Sequence, residues 1–132
     1  MIETKVSEKT TSQTLSLMVV DAVLEKKAQE VVLLDLRDLP EAVCDFFIIC
    51  HGTSTTQVKA IGDYVTFDIK EKLKEYPISS EGMKNGEWVL VDYADVVVHV
   101  FHKDKRAFYQ LEELWADAYS VHYSDDGEVL VK

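Results

Sequence analysis

The feature that most constrains the fold is a run of five consecutive apolar residues at 46–50. The run is too short for a surface helix and lacks the alternation of a half-exposed strand, so it predicts a central strand buried on both faces. The link Gly52-Thr53-Ser54 joins it to a helical pattern made by Val58, Ile61, Val65, Ile69 and Leu73. A strand joined to a helix in this way is the beginning of an α/β layered unit.

Hydrophobic periodicity predicts the remaining elements. In chain order they are a helix at 14–29, strands at 31–36 and 46–50, a helix that ends before Pro77, a short strand before residue 87, strands at 87–93 and 96–102, and a helix at 106–119. Only Ala94 and Asp95 separate the strands at 87–93 and 96–102, so these strands should pair as an antiparallel hairpin. Ala94 is less suited than glycine to a positive φ in such a turn.

This order predicts an α/β (α+β) fold with a single mixed sheet of about five strands and helices packed on its faces. A chain of 132 residues, 47% of them hydrophobic, suits one core rather than two. We divide it into a loose N-terminal arm at 1–13, a domain at 14–118 and a variable C-terminal tail at 119–132. The tail either forms a small hairpin around Gly127 or extends from the domain without regular structure.

Acidic residues outnumber basic ones by 24 to 14, giving a formal net charge of -10. This charge disfavours direct nucleic-acid binding and suits a basic protein partner, although charge alone is better explained as a means of keeping the chain soluble. No apolar stretch reaches the roughly 18 residues of a membrane span, and the N-terminus lacks the apolar region of a signal peptide. We therefore predict a cytoplasmic protein with no membrane contact, in which Cys44 and Cys50 are buried reduced thiols.

The sequence lacks the residue patterns of an enzyme or a metal site. The link at 52–54 has neither the repeated glycines nor the lysine of a P-loop, so capping of the next helix is favoured over anion binding. Asp92 and Asp95 are separated by the hairpin turn, which does not suit the paired carboxylates of a magnesium site. His99 and His102 are three residues apart on one strand and so face opposite sides. We predict no catalytic residue, no metal and no cofactor.

The strand at 87–93 presents two different sides. Alternation puts Trp88, Leu90 and Asp92 on one side and the remaining odd-numbered residues, including Tyr93, on the other. If the Trp88 side is exposed, it joins an aromatic anchor to a carboxylate, which is typical of a binding surface for a basic partner. The alternative is that Trp88 packs under the last helix against Trp115. The residues alone leave both open.

The last predicted helix should pack one apolar side on the sheet. Its apolar residues follow helical steps: Phe108, Leu111, Leu114, Trp115 and Ala118. Asp104 is placed to cap its start.

Three motifs together resemble the ribosomal silencing factor family, also called Iojap-like. They are the segment 45–50 with Gly52-Thr53-Ser54, the segment 88–101, and Arg106 with Tyr109, Leu111-Glu112 and Leu114-Trp115. The resemblance covers roughly residues 14–118. Ala94 departs from it, because the family usually has glycine there, and the tail beyond Ala118 is a variable extension.

This resemblance implies a mixed sheet related to the nucleotidyltransferase fold but without its catalytic carboxylates. It also implies binding to the large ribosomal subunit through the basic ribosomal protein fourteen, which blocks subunit association and represses translation. The contact residues implied are Trp88, Leu90, Asp92, Tyr93, Asp95, His99, Arg106 and Tyr109. Trp88 would be the apolar anchor, and the aspartates would meet basic side chains.

Two other functions are compatible with the residues. One is a nucleotide- and magnesium-dependent transferase that uses 52–54 for phosphate and Asp92 or Asp95 for magnesium. The other is an adaptor that forms a homodimer through the hairpin face.

Overall fold

The structure, a computed structural model, describes residues 10–130. In this range the helices are α1 (Ser12–Glu25), α2 (Thr55–Leu73), α3 (Lys103–Tyr109) and α4 (Leu111–Leu114). The strands are β1 (Gln29–Asp35), β2 (Phe46–Gly52), β3 (Ser79–Glu81), β4 (Trp88–Asp92), β5 (Val96–His102), β6 (Tyr119–Tyr123) and β7 (Val129–Leu130).

All strands of the described range form one sheet in the order β3-β4-β5-β2-β1-β6-β7. β2 and β5 run parallel, and the other neighbouring pairs are antiparallel. β2 lies at the centre, and each of its residues is buried. The predicted mixed sheet and its central strand are therefore confirmed, although the described chain has seven strands rather than about five.

α1 and α2 cover one face of the sheet, which we call the helix-covered face. Ser54 caps α2, and its predicted apolar residues Val58, Ile61, Val65 and Ile69 are buried as expected. The central strands contribute alternate residues to the same core: Phe46, Ile48 and Cys50 from β2, and Val96, Val98 and Val100 from β5. Because burying one such side chain contributes about 1.5–3 kcal/mol, this larger core holds the sheet and the two long helices together.

The opposite face carries a smaller core. Its buried residues are Val32, Leu34, Leu36, Phe47, Ile49 and Phe101. Leu39 and Ala42, from the segment between β1 and β2, and Leu111 and Trp115, from the segment after α3, cover part of it. The side chains of β4 on this face are only half-buried, which leaves that end of the sheet partly open to solvent.

The first helix starts and ends earlier than its predicted range, 14–29. It begins at Ser12 because the Thr11 hydroxyl oxygen accepts a hydrogen bond from a backbone N–H of the first turn. It ends before Lys27, whose φ of 66° leaves the helical region. The first part of the predicted arm, 1–9, lies outside the described residues.

The prediction of one helix at 106–119 is wrong. The chain forms α3 and α4, which are separated at Gln110, where φ is 49°. The cap of α3 is His102, whose Nδ1 accepts from the backbone N–H of Asp104; the cap is not Asp104 itself. Because apolar residues continue at helical steps across the break, the pattern does not reveal it.

The hairpin alternative for the tail is the one observed. β6 pairs antiparallel with β1 and with β7. Val121 and Tyr123 of β6 pack against the larger core. The sheet therefore continues past the predicted domain boundary at residue 118, and residues 131–132 lie outside the described range.

The two thiols lie in different environments. Cys50 is buried and Cys44 is half-buried, and neither forms a disulfide. Burial raises the pKa of Cys50 to about 12 and that of Cys44 to about 11. Both side chains are therefore protonated thiols at neutral pH. Among residues 10–130, no helix has the length and apolar character needed to cross a membrane.

Candidate partner-binding face

The partly open end of the smaller core is the candidate site. Trp88, Leu90 and Asp92 lie on this side of β4, as the alternation predicted, while Val89 and Val91 are buried on the other. We call this surface the aromatic face and define it by Trp88, Leu90, Asp92, Val97, His99, Phe101 and Tyr109. It combines large apolar groups with a carboxylate at its edge.

Trp88 is held in place from three directions. Its Nε1–H donates a hydrogen bond to His99 Nδ1 at 3.2 Å. Its ring stacks on Phe101 with centroids 4.8 Å apart, and the Tyr109 ring lies 4.7 Å from it. Trp88 is half-buried, so neither alternative predicted for it is fully correct. It contacts α3 through Tyr109 rather than through Trp115, whose ring lies against Phe47 at 5.9 Å.

His99 is a neutral, buried partner of the indole. It is 4% exposed, and its ring meets Phe47 edge-on with centroids 4.6 Å apart. Burial lowers the pKa of His99 to about 4, against the opposing effect of the Asp92 charge. Since Nδ1 accepts the indole hydrogen bond, the proton of the neutral ring is on Nε2. The Trp88–His99 pair therefore has a defined orientation at neutral pH.

Of the two predicted aspartates, Asp92 ends β4 on this surface and Asp95 lies in the turn that follows. Asp92 Oδ1 accepts from the backbone N–H of Ala94 at 2.7 Å, which fixes its position. Asp95 is exposed in the turn, and its backbone carbonyl accepts from the N–H groups of Asp45 and Phe46. Across residues 10–130, no group of three or more histidines, cysteines or acids could hold a metal ion.

Two predicted contact residues do not reach the aromatic face. Tyr93 is 7% exposed and lies on the helix-covered face, where burial raises its pKa to about 12. Arg106 is 8% exposed and bonds to protein groups. The alternation along β4 had already placed Tyr93 opposite Trp88, so that signal was available in the sequence. The burial of Arg106 had no such signal.

The structure also reveals exposed apolar residues that were assigned to the core. Phe108 is 76% exposed and Leu114 is 74% exposed, although both were predicted to pack on the sheet. The Phe108 ring touches Tyr109 edge-on at 5.1 Å, so it continues the apolar surface beyond the aromatic face. Helical spacing alone could not reveal that these two side chains lie outside the core, because it does not show that the chain breaks at Gln110 into two short helices.

The link at 52–54 serves as a helix cap. Ser54 Oγ accepts from the backbone N–H of Gln57 at 3.0 Å, and Gln57 Oε1 accepts from the N–H of Thr53 at 2.8 Å. These donors are satisfied by side chains of the protein itself. The geometry supports the capping interpretation of this link.

The fold and this surface define a class: an α+β protein with a single mixed sheet, one face sealed by helices and the other presenting an aromatic surface. The family model described as "Ribosomal silencing factor during starvation" matches residues 9–130. The chain belongs to the ribosomal silencing factor family, RsfS, which confirms the resemblance seen in its motifs.

Similar proteins cover most of the chain. RsfS of Halalkalibacterium halodurans is 46% identical over 113 residues, which are 83% of this chain and 92% of that protein. RsfS of Bacillus subtilis is 46% identical over 97 residues, or 71% and 78% of the two chains. The chloroplastic protein Iojap of Zea mays is 42% identical over 73 residues, or 55% of this chain and 31% of that protein.

Solved structures share the fold. A crystal structure of a protein from Chromobacterium violaceum has a TM-score of 0.77 at 36% identity and covers 81% of this chain and 88% of that one. A crystal structure from Bacillus halodurans has a TM-score of 0.68 at 45% identity, with coverage of 78% and 94%.

Proposed function

We propose that this protein is a cytoplasmic translation repressor that binds the large ribosomal subunit through its basic ribosomal protein fourteen. By occupying that surface it would block association with the small subunit. Membership of the ribosomal silencing factor family supports the ribosomal target. The half-buried, rigidly held Trp88 at the centre of the aromatic face is the observation that supports placing the partner contact on this face.

The aromatic face has the composition of a binding hot spot. Trp88 offers a large apolar group whose rotamer is already set by His99, Phe101 and Tyr109, so little side-chain entropy is lost on docking. Leu90 lies beside it, half-buried. Such an anchor, surrounded by groups that exclude water, commonly provides most of the affinity of an interface.

Acidic groups lie further along the strands from this anchor. Glu81 of β3 pairs in register with Leu90 and is exposed, and Asp92 and Asp95 lie further along the same edge. With a formal net charge of -10, the chain is attracted to a basic partner and repelled by ribosomal RNA. We expect these charges to set orientation and association rate more than final affinity.

Sedimentation with purified subunits tests the target. We expect recovery of the protein with the large subunit and not with the small one, and a lower yield of whole ribosomes when it is added before subunit joining. Recovery with neither subunit would reject the proposal. Measuring the mass of the free protein against concentration tests the alternative of a homodimer formed through the hairpin face.

Replacing Trp88 tests the surface. Trp88→Ala should weaken binding to the large subunit by roughly 2 kcal/mol or more, which is about 30-fold in Kd, because it removes the central anchor. Leu90→Lys should also weaken binding to the large subunit, because the added positive charge repels a basic partner. Leu90 is only half-buried, so the fold should tolerate the change.

The matched control is Phe67→Ala, which removes an exposed aromatic ring from α2 on the helix-covered side. The affinity of the Phe67→Ala variant for the large subunit should equal that of the wild type. Equal affinity of the Trp88 and Leu90 variants and the wild type would show that another surface makes the contact.

A further inference from the structure

Short helices α3 and α4 are held on the sheet by few buried groups. Arg106 is the one buried side chain of α3, and α4 has none. Leu111 and Trp115 contribute partial packing against the smaller core. A helix of seven residues is not stable by itself in water, so the position of this segment depends on those contacts.

The Arg106 guanidinium joins three separate parts of the chain to α3. Nη1 donates to the backbone carbonyl of Glu30 at 2.7 Å and lies 3.0 Å from Nδ1 of His51. Nη2 donates to the Glu112 carboxylate at 2.6 Å. One side chain thus ties α3 to the start of β1, the end of β2 and the helix that follows. Because the guanidinium is buried, losing a partner costs more than at the surface.

Tyr109 depends on the position of α3. It follows Arg106 by three residues on the same helix, and its ring lies 4.7 Å from Trp88 and 6.2 Å from Phe101. Gln110 comes next, with a φ of 49°, and redirects the chain into α4. If α3 leaves its place, Tyr109 leaves Trp88.

We propose that Arg106 and Glu112 form a clamp that holds the α3–α4 segment closed over the sheet and thereby sets the position of Trp88. Arg106 is then a positioning residue that acts on the aromatic face without touching the partner. The effect on ribosome binding rests on the proposed function, whereas the effect on Trp88 does not. The clamp gives a structural role to an arginine that the motif resemblance had assigned to the partner contact.

Nuclear magnetic resonance of the full chain tests the clamp directly. The variants are Glu112→Ala, which keeps the buried arginine, and Arg106→Lys, which keeps the charge but cannot serve all its partners at once. The control is Glu113→Ala, an exposed acid on the same helix. The readout is solvent exchange of the Trp88 indole N–H, compared with exchange of the backbone N–H groups of Ile48 and Ile49 in β2.

In Glu112→Ala and Arg106→Lys, we expect the Trp88 indole N–H to exchange at least about tenfold faster, through local opening, while the β2 amides keep their rates. Glu113→Ala should behave like the wild type. Unchanged Trp88 exchange in both variants would overturn the clamp. Equal acceleration in β2 would overturn it too, because it would show a general loss of stability.

Binding to the large subunit gives the second readout. If the segment is closed in about one tenth of the variant molecules, the apparent Kd should rise about tenfold. Exchange rates that show a mostly open segment, together with an unchanged Kd, would reject the link between the clamp and docking. Failure of the wild type to bind the subunit would reject the proposed function instead, and the exchange experiment would still decide whether the clamp exists.

Discussion

The hydrogen bond between Trp88 and His99 requires a neutral imidazole. His99 Nδ1 accepts the indole N–H, so a proton on that nitrogen would remove the acceptor. Burial prevents this at neutral pH by lowering the pKa of His99 to about 4. The arrangement of the aromatic face is thus tied to the protonation state of one side chain.

The lowered pKa of His99 predicts how the free energy of unfolding depends on pH. Between pH 6.5, the ordinary value, and about 4, the unfolded chain binds a proton at His99 that the folded chain does not. The free energy of unfolding should therefore fall as the pH is lowered through this window, by about 3 kcal/mol when the pH reaches about 4. Above pH 6.5 this contribution to stability should be fully present. His99→Phe should remove this part of the dependence of the free energy of unfolding on pH. Urea unfolding at a series of pH values measures it.

A second histidine provides the comparison. His122 is exposed on β6, so His122→Gln removes an imidazole that lies outside the aromatic face and serves as the control substitution. His51 remains in both variants; burial also lowers its pKa, so some dependence on pH should persist. If His99→Phe and the wild type have the same slope, the imidazole is not held neutral by the fold.

At the scale of elements, the turn between β4 and β5 contains a strained residue. Ala94 has a φ of 76°, and the N–H of Asp95 donates to the carbonyl of Tyr93 across it, which forms a tight γ-turn. Ala94→Gly should raise the free energy of unfolding by about 1 kcal/mol, because glycine adopts a positive φ without steric cost. Thermal or urea unfolding measures this change in the free energy of unfolding.

Ala60, exposed on α2, gives a control of opposite sign. Ala60→Gly should lower stability by about 1 kcal/mol, since glycine in a helix interior costs conformational entropy. Destabilisation by Ala94→Gly would show that the turn is not strained.

Sequence patterns predicted the elements whose burial repeats regularly along the chain. β2 is buried throughout, and α2 buries the residues spaced at helical steps, so local periodicity identified both. The pattern failed at α3 and α4, because a positive φ at Gln110 leaves no mark on hydrophobic spacing. Alternation along β4 predicted three of the seven residues of the aromatic face, whereas Tyr109 contacts Trp88 only because of how α3 packs on the sheet.

At the scale of the molecule, the terminal hairpin completes the sheet. β6 pairs with β1 across Val32–Asp35 and adds Val121 and Tyr123 to the larger core. A chain ending at Ala118 should lose about 3 kcal/mol of stability, from the lost burial of these two side chains. It should also self-associate through the uncovered edge of β1. Thermal unfolding and light scattering measure the two effects.

A chain ending at Ser124 is the matched control. It keeps β6 and removes β7, whose Val129 and Leu130 are exposed. We expect it to remain close to the full chain in stability and mass. A monomeric, fully stable chain ending at Ala118 would mean that the sheet does not need β6.

The sequence by itself determined the mixed sheet, its central strand, the two sides of β4 and the family, because these depend on local periodicity and on motifs read in order. The tertiary structure decided which residues cover the aromatic face, where the last helix breaks and that β6 joins the sheet. Those features depend on contacts between distant residues: Arg106 meets the carbonyl of Glu30, 76 residues away. Periodicity reports how far a side chain is buried, but not which partner buries it.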